Sequence, residues 1–349
     1  MIGILTVLLT SFPAPGRSES VPAISPSTFQ EAFTRALESR SSLPPAISRQ
    51  ATNYQYVFVG GYLNERMPGY FAINAKELHA YGIPRRAIHV IQPSSHQTIE
   101  ENTKLVREKF QEIARSGPEK LVVIAHSKGA CDVLAFGLQN PEFIQKHVHA
   151  MFLLQGPFGG TSVAEFVSGE GDAPDPAIGW RDRAVLNALG KIEGYFLDRG
   201  KHGGLSGLTP EASREFWSSL LRKQHDAIAI VGPKTFYITA ATHPSHLRII
   251  QRATGWYLQH GDGPNDGVVA LRDQSLPGVG TVLASLDAGH SDLTRSRTSG
   301  RVTRDYPRAL TAAILSTMAN QDDAFAVEVP ATRRTNQKSQ RFRSRSSSR

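Results

Sequence analysis

Residues 125–129 read Ala125-His126-Ser127-Lys128-Gly129, between the apolar run Leu121-Val122-Val123-Ile124 and a helical pattern over 128–139. Small residue, any residue, Ser, any residue, Gly is the spacing of a nucleophile elbow. In that turn a strand reverses sharply into a helix with the serine at its tip. The flanking residues must be small because two backbones pass close together there. The spacing therefore predicts a nucleophilic serine at 127 and requires a histidine and an acid elsewhere in the chain.

Working outward, short apolar runs recur at Tyr56–Val59, Ala87–Ile91, Met151–Leu154, Thr235–Ala240 and Thr281–Leu286. Helical patterns alternate with them. Thr98 with Glu101 forms a capping box for a helix that carries Ile99, Leu105, Val106, Phe110 and Ile113 before Pro118. Ser27 with Gln30 reads as a second capping box, followed by a Ser/Pro-rich connector over 41–49, and a last helix runs from Pro307 through Met318. Continuously apolar strands alternating with amphipathic helices predict a mostly parallel sheet covered on both faces. Between about 160 and 230, glycines and prolines break the pattern into short pieces carrying Trp180, Leu186, Leu189, Tyr195, Phe196, Phe216 and Trp217. That region reads as an insertion over the sheet.

The bulk numbers fit this picture. The 349 residues are 40% hydrophobic and 20% charged, the range of a globular protein with a sizeable core. The formal net charge of +8 points toward nucleic acid only until it is located. Seven basic residues and no acid fall within 333–349, which leaves 32 basic against 31 acidic residues in the body. The excess charge belongs to a Ser/Arg-rich tail over 326–349 with too few apolar residues to fold. No nucleic-acid partner is expected. The single cysteine, Cys131, excludes an internal disulfide and reads as a small buried thiol. Ile2–Leu9 followed by Ser11-Phe12-Pro13-Ala14-Pro15-Gly16 resembles a secretory signal over 1–20, without a charged n-region beyond the α-amine. Export to the periplasm or beyond is the corresponding expectation. Residues 21–54 read as an N-terminal helix with connectors, and 55–325 as the main domain.

A serine hydroxyl needs a base to take its proton and a buried acid to orient that base. In the order Ser, acid, His, the best acid is Asp266 in Gly263-Pro264-Asn265-Asp266-Gly267-Val268-Val269, with Asp262 in reserve. The best base is His290 in Asp287-Ala288-Gly289-His290-Ser291-Asp292, just past a predicted strand. Two backbone N–H donors must face the tetrahedral intermediate. Lys128, opening the elbow helix, is one. Tyr62, after Gly60-Gly61, is the other. The side chains of Lys128 and His126 read as structural.

These segments together resemble the bacterial secreted lipases of the α/β-hydrolase fold. Ala125–Gly129, Gly156–Ala164 (Gly-Pro-Phe-Gly-Gly-Thr-Ser-Val-Ala), Leu205–Phe216, Asn265–Val269 and the His290 loop carry the likeness, over about 55–320. The resemblance implies an α/β-hydrolase fold with a helical cap or lid insertion at about 160–230, and a triad of Ser127, Asp266 and His290. Two positions depart from the pattern: Gly60-Gly61 stands where His-Gly is usual, and Ala125 where the first elbow glycine is usual. Some of these lipases hold a structural calcium with an Asp two residues past the histidine. Asp292 fits that place, but no second Asp stands among 240–250, so no cofactor is expected.

The resemblance implies a carboxylic ester with an apolar acyl chain as substrate, a small molecule or a lipid, with contact to a lipid surface. A thioesterase, a polyester depolymerase or an acyltransferase would use the same residues. A non-catalytic binding protein on this fold is the alternative of a different class. The aromatic and leucine side chains of 160–230 either line an acyl pocket or form a small core of their own.

Overall fold

The computed structural model describes residues 24–39, 43–117, 119–168, 177–197, 203–295 and 305–327. The signal-like segment 1–20 and the basic tail 333–349 lie outside the described residues, as do 169–176 and 198–202 of the insertion. Six parallel strands form one sheet: β1 (Tyr54–Val59), β2 (Ile88–Ile91), β3 (Lys120–His126), β4 (Val148–Leu154), β5 (Thr235–Ala240) and β6 (Thr281–Leu286). Their order is β2-β1-β3-β4-β5-β6. The sheet starts at β1, steps outward to β2, then returns past β1 to β3. The connections leaving the C-terminal ends of β1 and β3 therefore lead to helices on opposite faces of the sheet, the place at which open α/β sheets bind ligands.

Successive strand residues point to opposite faces. Tyr56, Phe58, Val122, Ile124, Phe152 and Ile238 join one core, and Val57, Val59, Val123, Ala125, Met151 and Tyr237 the other. Helices Pro26–Glu38 and Tyr306–Val327 cover the first face, with Phe33 stacked on Tyr306 at 5.8 Å. Helices Ile99–Ser116 and Lys128–Gln139 cover the second, where the ring of Phe110 meets the edge of Phe136. The Thr98–Glu101 capping box is present in full.

Three expectations need correction, the first two for one reason. The first helix starts at Pro26 with Ser25 at its cap. Ser27 makes no capping box with Gln30, and its hydroxyl instead meets that of Ser25 at 2.7 Å. The predicted connector 41–49 contains the start of a helix, Pro45–Ala51. A proline in the first turn lacks only an N–H that would have no partner there, so each of these prolines opens a helix rather than ending one. The strand expected from Ala87 begins at Ile88, after a 3-10 turn over Arg85–Ala87.

Candidate active site

The elbow is built where β3 ends. Ser127 has φ 56° and ψ −133°, a left-handed backbone that L side chains rarely adopt. Its N–H donates to the Leu154 carbonyl of β4 (2.9 Å), which fixes the turn to the sheet. A Cβ on Gly129 would stand 2.3 Å from the Gly60 carbonyl oxygen, and one on Gly61 would stand 2.6 Å from the Ser127 Cβ. The glycines after β1 and in the elbow thus let the two loops touch.

Ser127 and His290 meet at 2.9 Å, Oγ to Nε2, and His290 Nδ1 lies 2.8 Å from Asp266 Oδ2. A carboxylate offers only acceptors. His290 Nδ1–H therefore donates to Asp266, and Nε2 accepts the serine hydroxyl. All three side chains are buried. Asp266 lies beyond β5, on the turn that follows the helix Ile249–Gly261 and not directly after a strand; in that turn Gly267 takes φ 95°. Its Oδ1 accepts the N–H groups of Val268 (2.9 Å) and Val269 (2.8 Å). Its Oδ2 also accepts from the amides of Gln155 (2.8 Å) and Gln274 (3.2 Å). The His290 N–H donates to the Asp266 carbonyl at 2.8 Å, so the two loops are also joined through backbone.

Asp262, the reserve acid, is engaged elsewhere: it accepts from Ser162 Oγ (2.8 Å) and pairs with Arg272 (2.6 Å). Asp292 Oδ2 accepts the Gly289 N–H at 2.9 Å. No group of three or more His, Cys, Asp or Glu that could hold a metal ion stands among the described residues.

The Lys128 side chain turns away from the serine into the interior. Its Nζ meets Asp132 Oδ1 at 3.1 Å, and Asn102 donates to Asp132 Oδ2 at 3.0 Å. Burial pushes the Asp132 carboxyl up to about 6, partly offset by Lys128 and Asn102. Lys128→Met would strand that carboxylate and is expected to cost roughly 3–5 kcal/mol at neutral pH. The deficit should narrow as pH falls, because a carboxyl whose folded pKa is raised takes up its proton first in the folded state. Urea unfolding at pH 5 and pH 8 measures both.

Ser127, His290 and Tyr62 all line one cavity of about 510 Å³. Leu63, Met67, Val163, Val167, Leu205 and Leu208 supply much of its apolar wall, and Arg248 and Arg295 also line it. The insertion divides its side chains. Leu205 and Leu208 face the cavity. Trp217 and Phe216 instead pack into the main core beside Phe158, and Leu186 joins Ile178 and Ala253 in a small cluster. Trp180 is exposed beneath the Arg181 guanidinium. The side chains of Leu189, Tyr195 and Phe196 lie outside what the structure describes. Gln155, Gln274 and Tyr70, all bonded into this site, are residues that sequence reasoning missed.

A parallel sheet with an elbow after β3, an acid after β5 and a histidine after β6 defines the α/β-hydrolase fold class. The chain is similar to a crystal structure of a metagenomic carboxyl esterase: 20% identity and a TM-score of 0.55, over 78% of this chain and 76% of that one. It is also similar to the mature form of a Bacillus licheniformis lipase: 19% identity and a TM-score of 0.50, over 68% of this chain and 85% of that one. This chain has the α/β-hydrolase fold. Neither protein-family models nor curated protein sequences match it.

Proposed function

We propose that the protein is a serine hydrolase of carboxylic esters with an apolar acyl chain, acting through an acyl-enzyme on Ser127. The observation that carries this reading is the Ser127–His290–Asp266 hydrogen-bond series opening onto a largely apolar cavity. The activities of the two similar structures, a carboxyl esterase and a lipase, agree with it.

In this reading Ser127 Oγ attacks the ester carbonyl while His290 Nε2 takes the hydroxyl proton. Negative charge collects on the former carbonyl oxygen. The backbone N–H groups of Lys128 and Tyr62 receive it, where fixed donors in a water-poor site act most strongly. His290, oriented by Asp266, returns the proton to the leaving alcohol. A water, deprotonated by the same nitrogen, then attacks the acyl-Ser127 ester, releases the carboxylic acid and restores the serine hydroxyl.

The apolar wall sets the acyl preference. The helix Ser162–Ser168 and residues 205–208 cover the cavity from the insertion side, as a cap would. No described helix is long and apolar enough to cross a membrane. The export expected from Ile2–Leu9 belongs to the same proposal and is tested by the N-terminal mass of the protein recovered outside the cell.

The function is tested with 4-nitrophenyl esters of increasing chain length, and hydrolysis of none of them would overturn it. Val167→Trp fills the wall and should lower kcat/KM for the octanoate relative to the butyrate by about tenfold or more, since one methylene in such a pocket is worth roughly 10- to 200-fold. An unchanged ratio would remove this wall from the acyl site.

A further inference from the structure

A second series of hydrogen bonds runs beside the first. The Gly61 N–H lies 3.3 Å from the Tyr70 hydroxyl, that hydroxyl lies 2.5 Å from His126 Nδ1, and His126 Nε2 lies 2.6 Å from the His290 carbonyl oxygen. One atom fixes the direction of them all. A carbonyl can only accept, so His126 Nε2 carries the proton. In the neutral ring Nδ1 is then an acceptor. The Tyr70 O–H must therefore donate to it, and the Tyr70 oxygen accepts the Gly61 N–H. Each donor points from the loop after β1 toward the loop after β6.

The two side chains are held in the protonation states this direction requires. Burial, together with the nearby His290, keeps His126 well below the ordinary imidazole range. Burial also raises the Tyr70 hydroxyl. The His126 ring stands 4.7 Å from the His290 ring, tilted by 52°.

We infer that Tyr70 and His126 are positioning residues, and that this one-way series holds the oxyanion loop in register with the loop of the catalytic base. The inference rests on the proposed roles of Ser127 and His290. Its physical content is geometric. Gly61 runs so close to Ser127 that a Cβ on it would stand 2.6 Å from the Ser127 Cβ, so a small shift of this loop displaces its N–H donors relative to the developing oxyanion, and sub-ångström placement is what such donors depend on. The series also engages the Gly61 N–H with Tyr70, which passes the oxyanion role to the next residue, Tyr62.

The experiment measures kcat and KM for 4-nitrophenyl butyrate in the full-length protein and in Tyr70→Phe, His126→Leu, their double variant and His126→Gln. Each of the first two should lower kcat roughly tenfold with KM unchanged, the scale of one lost hydrogen bond. The double variant should be no worse than the poorer single one, because a series broken once is broken throughout. His126→Gln should recover most of the loss, since one amide presents an acceptor and a donor at the spacing of the two ring nitrogens. Additive losses, an unchanged kcat in Tyr70→Phe, or a Gln variant no better than Leu would overturn the inference. If the Leu variant does not fold, Tyr70→Phe and His126→Gln decide alone. A parent that hydrolyses no ester sinks the proposed function instead. The series is then still read from the ¹⁵N shifts of His126, which must report a neutral ring protonated on Nε2.

Discussion

Ser127→Ala is expected to lower kcat on any accepted ester by several orders of magnitude, on the order of 10⁶ as in other serine enzymes of this mechanism. The size follows from the geometry around the serine. Its hydroxyl is 2.9 Å from His290 Nε2, the nitrogen proposed to take its proton, and no other hydroxyl in the described structure bonds to that nitrogen. The residue that follows it begins a helix whose first N–H groups have no partner within the helix. Without the oxygen nucleophile those donors can still bind a carbonyl but no covalent intermediate forms. KM should change little. The fold should be unaffected, because alanine removes only a hydroxyl. Progress curves at high enzyme concentration, with a thermal melt as control, measure both.

Asp266→Asn is the second large effect, a fall in kcat of about 10⁴, while Asp262→Asn should leave kcat within experimental error. The asymmetry comes from proton bookkeeping at His290. The carboxylate of Asp266 accepts from His290 Nδ1 and leaves Nε2 free to accept from Ser127. An amide nitrogen in that position would donate to Nδ1, forcing the proton onto Nε2 and removing the base. Turning the amide over does not relieve the problem. Oδ1 faces the N–H groups of Val268 and Val269, and Oδ2 also faces the amides of Gln155 and Gln274. Either orientation sets donor against donor, so Asp266→Asn should lose stability as well as rate. Asp262 bonds to Ser162 and to a largely exposed Arg272 and touches neither Ser127 nor His290. Activity lost only in Asp262→Asn would reverse the assignment.

The glutamines mark where sequence reading ran short. Ser127 and His290 each follow an apolar strand in a small-residue turn; Asp266 stands in a Gly/Asn-rich turn, but that turn follows the helix Ile249–Gly261, and the three are joined in one hydrogen-bond series. Local pattern suffices to pick out such turns. Gln155 also follows a strand, β4, and adopts φ 48°. Yet a glutamine carries no signature of its own, and its partner Asp266 is 111 residues away. Gln274 is eight residues from Asp266, but only the fold of the intervening turn aims it back. Tyr70 and His126, 56 residues apart, meet for the same kind of reason. The Lys128–Asp132 pair was within reach of the sequence, since positions i and i+4 share a helix face. Its burial was not, because a lysine beside an elbow serine looks exposed until the second core closes over it. In the insertion, composition could not say which apolar side chains face the cavity: Leu208 does and Trp217 does not.

The helix starts show the limit from the other side. Pro45 falls within the Ser/Pro-rich connector 41–49 and Pro26 directly before the expected cap Ser27, although proline suits a first helical turn as well as a loop. What separates the two outcomes is burial further along. Phe29 and Phe33 pack into the core against Tyr306 near the other end of the chain. The basic residues of 333–349 lie outside the described residues.

The central claim is that Ser127 is the nucleophile, activated by His290. The most direct measurement is reaction with a fluorophosphonate followed by peptide mass mapping, with residual ester hydrolysis read on the same samples. One phosphonyl group on the peptide that contains Ser127, with activity lost in proportion and labelling slowed strongly by His290→Ala, is the predicted result. A label on a different residue, or undiminished hydrolysis once Ser127 is fully labelled, would contradict it.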